Sequence, residues 1–268
     1  MSNEEEGNDG LTLGGMFPEP ARPPTPDPTL SSYTRSNKTF VEGKEEILIR
    51  LVGSHSLWGH HLWNAARSFA SYLESHSTEL CEGKRILELG AGGGLPSLIA
   101  VLEGADQVLV TDYPDADLLH NLKINVERNI PTALQHKVTV QGYKWGADVQ
   151  SLLRSLSLDL IERFDMILMS DLIFNHSQHA ALLKTCDQVL SNAPTSETGT
   201  IPCLLVFYTH HRPRLAERDL DFFRLAKEQG WGCAEIVTER MQPMFLDDPG
   251  DEEVRATVHG WRVWRIIR

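Results

Sequence analysis

Apolar and polar side chains alternate over residues 46–51 (EILIRL), the period of a half-buried strand. Beyond residue 60 the period lengthens. Leu62, Ala65, Ala66, Phe69, Ala70 and Leu73 recur at three- and four-residue spacing, which predicts an amphipathic helix over 62–76. From Gly83 onward, short apolar runs alternate with amphipathic stretches. Arg85–Leu89, Gln107–Thr111, Lys137–Gln141, Phe164–Ser170 and Cys203–Thr209 predict strands. Residues 96–103, 115–129, 178–190 and 215–229 predict the helices that follow. Pro96 sits in the first turn, where its missing N–H costs nothing, and Gly104 closes that helix. Ala234–Thr238 and Trp261–Ile267 add two strands, expected to pair antiparallel at one edge. Near-continuous apolar strands alternating with helices imply an α/β fold, a mostly parallel sheet covered on both faces.

Composition sets the boundaries. The 268 residues suit one domain with a short extension. Six of the eleven residues from Pro18 to Pro28 are proline, which excludes helix and central strand there. Residues 1–32 are therefore expected to be a flexible or polyproline-type arm, with Met16 and Phe17 as anchors if it lies over a site, and residues 33–268 the folded domain. Residues 191–200 read as an exposed loop. The net charge of −12 disfavours nucleic acid, whose phosphates are bound through Lys and Arg, and suits a small molecule or a basic protein. The four cysteines, Cys81, Cys186, Cys203 and Cys233, have neither the C-x-x-C spacing nor the histidines of a metal site, and read as reduced thiols. The acidic N-terminus and the shortness of the apolar runs predict a cytoplasmic protein with no membrane span.

The chemistry concentrates at strand ends. Glu88-Leu-Gly90-Ala-Gly92-Gly-Gly94 follows a predicted strand and opens a predicted helix, where ligands bind in open α/β sheets. Neither register completes the dinucleotide fingerprint G-x-G-x-x-G, because Leu95 or Ser97 stands where its third glycine belongs. The pattern acid-x-G-x-G-x-G is complete. Asp112 ends the next strand, 24 residues after Glu88, where a carboxylate can accept two hydrogen bonds from a ribose diol. Trp145, past the third strand, can stack on a flat base, and Ser170 and Asp171 end the fourth. Asp112 and Asp171 also suit helix caps, and Trp145 a core position.

The loop resembles motif I of the seven-strand methyltransferases, whose glycines and strand-end acid hold S-adenosylmethionine. Leu57-Trp58-Gly59, the Glu88–Gly94 loop and Asp171-Leu-Ile-Phe174 together resemble methyltransferase family 16, the lysine methyltransferase-like branch, over residues 45 to 268. The resemblance implies a Rossmann-like seven-stranded sheet with helices on both faces. It implies cofactor contacts at Trp58, Glu88, Gly90, Ala91, Gly92, Asp112, Trp145 and Ser170, with no metal, and substrate positioning by Asp171 and Phe174. Where the family often has Tyr, Phe174 lacks the hydroxyl but keeps a ring face for a cation. The resemblance further implies a monomeric enzyme acting on translation elongation factor 1-alpha, at its N-terminal amine and an adjacent lysine.

Methyl transfer to nitrogen needs a neutral amine in near-attack geometry. An α-amine, with a pKa of about 7.7–8.0, meets that need at cellular pH far more often than a lysine at about 10.4. Asp171 favours an ammonium and therefore suits positioning better than base catalysis. Two other readings stand beside this one: a small-molecule N-methyltransferase of the nicotinamide type, and a binding module without catalysis. The paired histidines, His60 with His61 and His210 with His211, read as structural or surface residues, and Trp63, Trp231, Trp261 and Trp264 as packing.

Overall fold

A computed structural model of the chain describes residues 26–36, 45–156, 162–192 and 199–266. Strands β1 (Thr29–Thr34) and β2 (Glu46–Leu51) pair antiparallel as a separate two-stranded sheet. Helices α1 (Asn64–Ser75) and α2 (Ser77–Leu80) lead into the main sheet. There follow β3 (Arg85–Leu89), α3 (Leu95–Leu102), β4 (Gln107–Asp112), α4 (Ala116–Asn129), β5 (Val138–Gly142), α5 (Gln150–Arg154), β6 (Met166–Ser170), α6 (His179–Val189) and β7 (Cys203–Thr209). The chain closes with α7 (Ala216–Asp219), α8 (Asp221–Glu228), β8 (Trp231–Arg240), α9 (Glu252–Ala256) and β9 (Thr257–Arg265).

The seven-stranded sheet has the order β5-β4-β3-β6-β7-β9-β8. All pairings from β5 through β7 are parallel, while β9 runs antiparallel to both β7 and β8. Strand alternation divides the core. Ile86, Val108, Val110, Met166, Leu168, Leu205 and Phe207 face one side, against α1, α3 and the β1–β2 hairpin. Leu87, Leu89, Leu109, Ile167, Met169, Leu204 and Val206 face the other, with Leu182, Leu183, Phe222 and Phe223 of α6 and α8. The strand order reverses at β3 and β6, and this places their carboxyl ends at the crevice where such sheets bind ligands.

Three differences from expectation have physical causes. Residues 29–34 form a strand, so the folded body begins inside the segment read as an arm; β1 alternates only weakly and needs β2 as its partner. Met16 and Phe17 lie outside the described residues. The expected helix 215–229 is broken between Asp219 and Asp221, where the Asp219 carboxylate is held by His176 Nε2 and His210 Nδ1, each at 2.7 Å. Finally, β8 extends well beyond 234–238 and continues past a bulge at Glu235–Val237. Among the described residues no helix is long and apolar enough to cross a membrane.

Candidate active site

The loop after β3 is built from left-handed turns. Gly90, Gly92 and Gly94 have φ of +62°, +55° and +76°, a region that glycine enters without strain. Gly90 is also sterically required, since a Cβ there would stand 2.7 Å from Leu172 Cδ2 and 2.9 Å from Trp145 Cζ2. The loop therefore presents bare backbone to a cavity of about 490 Å³, within the range of small-molecule and cofactor sites.

Asp112 holds the loop in place. Its Oδ2 accepts the Gly92 N–H and its Oδ1 accepts the Tyr113 N–H, both at 2.7 Å. A carboxylate offers about four acceptor sites, so two remain for a diol. Burial raises the Asp112 pKa against these two hydrogen bonds. Trp58, Gly90, Ala91, Gly92, Asp112, Trp145, Ser170, Asp171 and Phe174 all line the cavity. Glu88 does not. It is fully buried beneath the loop, where its Oε2 accepts the Ser97 N–H of α3 at 3.1 Å and its Oε1 has no hydrogen-bond partner among the described residues. Burial pushes its pKa up to about 8. Its position is that of a support for the loop rather than a wall of the cavity.

Two residues bend into strained backbone at the mouth. Trp58 has φ +63° and Asp171 φ +56°, conformations that concentrate at functional sites. The Asp171 N–H donates to Phe207 O at 2.7 Å, which ties the end of β6 to β7. Its Oδ2 lies 2.8 Å from His211 Nε2. Leu57, Trp58, Tyr113 and Phe174 are exposed around the rim, an apolar patch of the kind that marks an interaction surface. A second cavity of about 340 Å³ shares Trp58, Trp63, Phe174 and Arg212 with the first and adds His211 and Phe245.

The sequence pattern assigns Trp63 to packing and His211 to a structural or surface position; both line these cavities, with their rings 4.7 Å apart. His61 joins the same cluster through Phe245 and Trp63. No sequence motif marks them, since residues 61–63, 211 and 245 meet only in the folded chain. The signal that existed was the concentration of His and Trp in residues 58–63.

The sequence profile of the lysine methyltransferase family matches residues 44–229. The protein N-terminal and lysine N-methyltransferase EFM7 of Cryptococcus neoformans is 44% identical to the chain, over 98% of this chain and 91% of its own. The protein of the same name from Schizosaccharomyces pombe is 41% identical, over 93% and 94%. Among solved structures, a SAM-dependent methyltransferase from Streptococcus mutans superposes with a TM-score of 0.52 at 14% identity, covering 81% of this chain and 53% of that one. That likeness reports the fold, a methyltransferase sheet of Rossmann type. Profile, relatives and glycine loop agree: the chain belongs to the lysine methyltransferase family.

Proposed function

We propose that this S-adenosylmethionine-dependent methyltransferase acts in the cytoplasm on translation elongation factor 1-alpha, at its N-terminal amine and an adjacent lysine. The relatives' names supply the two kinds of amine. The observation that carries a protein substrate is the mouth of the cavity. Exposed Trp58 and Phe174 stand between two cavities, so a chain terminus can enter one while the residues behind it occupy the other.

The residues present fit the cofactor. The Gly90–Gly92 backbone admits its amino-acid portion, Asp112 has free acceptor sites for the ribose hydroxyls, and Trp145 offers a face for the base. When bound, S-adenosylmethionine supplies an electrophilic methyl group on a sulfonium. The protein must then present an amine lone pair in line with the C–S bond and keep competing water out. Trp58 and Phe174 offer aromatic faces to an arriving ammonium and to the methylammonium formed by transfer. Ser170 and Asp171 lie at the end of β6, between the cofactor region and the rim, where they can orient the amine.

The test is mass spectrometry of unmethylated elongation factor 1-alpha after incubation with the protein and S-adenosylmethionine. Methyl additions confined to the N-terminal residue and its neighbouring lysine are expected. Absence of methylation by a protein that binds the cofactor would overturn the substrate assignment.

A further inference from the structure

The Asp171 carboxylate is not free to meet a substrate alone. One oxygen faces His211 Nε2 at 2.8 Å, and the other faces the Thr209 N–H at 3.4 Å. A carboxylate only accepts, so Nε2 is the donor, and in the neutral imidazole the lone pair then resides on Nδ1. Among the described residues Nδ1 has no hydrogen-bond partner. The ring is held further by Trp63 at 4.7 Å, and it lines the second cavity beside Trp58 and Phe174, while Asp171 lines the first. The pair therefore spans the boundary between the two cavities.

We infer that His211 is the proton acceptor for the substrate amine, with Asp171 as the positioning residue that fixes its tautomer. This rests on the protein-amine reading of the same site. The substrate ammonium gives one proton to Nδ1, leaving a neutral amine and an imidazolium paired with Asp171. The amine lone pair then forms the N–C bond as the C–S bond breaks, and that electron pair stays on sulfur. The imidazolium returns its proton to water before the next cycle.

The matching of acidities favours an α-amine. Burial lowers the pKa of His211, but the charge and hydrogen bond of Asp171 outweigh it, and the net shift is upward, toward that of an α-amine. Among the described residues, the other charged groups around the ring include Asp219 and Arg218 of α7 and the adjoining Arg212. His61 faces it from the segment before α1, and His176 and Asp248 line the same cavity. Transfer from a lysine ammonium, at about 10.4, is more steeply uphill than transfer from an α-ammonium at about 7.7–8.0.

The experiment compares wild type, His211→Gln and Asp171→Asn on a peptide with a free N-terminus and a neighbouring lysine. Calorimetry with S-adenosylmethionine shows that each variant is folded and loaded. The Gln amide can still donate to Asp171 but cannot take up a proton. At pH 7 kcat on the α-amine is expected to fall at least tenfold in both variants with KM changed less than threefold. Above pH 9, where the amine is already neutral, most of that loss should be recovered. A loss that is the same at every pH, or no loss, would overturn the inference and leave the enzyme assignment standing. Failure of wild type to methylate the peptide while binding the cofactor would overturn both.

Discussion

At the scale of single residues the site depends on backbone that only particular side chains permit. Gly90 combines positive φ with a Cβ position already claimed by Leu172 and Trp145. Gly90→Ala is therefore expected to weaken S-adenosylmethionine binding at least tenfold, read by calorimetry, at a stability cost of about 1–3 kcal/mol. Glu88 makes a separate prediction. Its pKa is raised by burial from the usual carboxylate range to about 8, so between those values the folded state binds the proton more strongly than the unfolded chain. Its contribution to stability is full at low pH, falls as pH rises through that window and levels off above about 8. Glu88→Gln stays neutral and should lose less stability than wild type between pH 5 and 9, by on the order of a few kcal/mol in thermal or urea melts. Equal pH dependence in the two proteins would contradict this. The glycines and Asp112 were legible in the sequence because their spacing is local. His211 was not, since its partner Asp171 lies forty residues away and becomes a neighbour only when β6 pairs with β7.

At the scale of elements, the loop is braced from above by the β1–β2 hairpin. Ile49 of β2 packs where a Cβ on Gly93 would stand at 2.5 Å. The hairpin is tied down by three asparagines at four-residue spacing on α4, which act as a substitute edge for β2. The Arg50 N–H donates to Asn125 Oδ1 and the Leu48 N–H to Asn129 Oδ1. Asn121 and Asn125 donate to Arg50 O, Asn129 donates to Leu48 O, and Asn125 also donates to Gly93 O. Asn125→Ala removes the side-chain acceptor of the half-buried Arg50 N–H and the donor to Gly93 O, and should cost about 1–3 kcal/mol, measured by denaturant unfolding, with a several-fold weaker cofactor affinity. From sequence, these asparagines were indistinguishable from the solvated face of an amphipathic helix. The β-α repeat was legible, because strands buried on both faces leave continuous apolar runs such as Cys203–Thr209. β1 was not, because among its described side chains only Tyr33 is buried.

For the whole molecule, charge and shape bear on the same outcome. A chain of net charge −12 with an apolar rim around its cavity suits a basic protein surface that docks first and inserts its terminus second. Raising salt from about 50 to 500 mM shortens the screening length from roughly 14 to 4 Å. KM for the protein substrate is then expected to rise several-fold while S-adenosylmethionine affinity changes little; equal changes in both would contradict the docking account. The central claim, that the cavity lined by the glycine loop holds the methyl donor, is tested most directly by isothermal titration of wild type and Asp112→Ala with S-adenosylmethionine. The structure predicts one-to-one micromolar binding by wild type and a loss of at least tenfold in the variant, which gives up both the ribose acceptor and the anchor of Gly92. No binding by folded wild type, or equal binding by the two proteins, would contradict it.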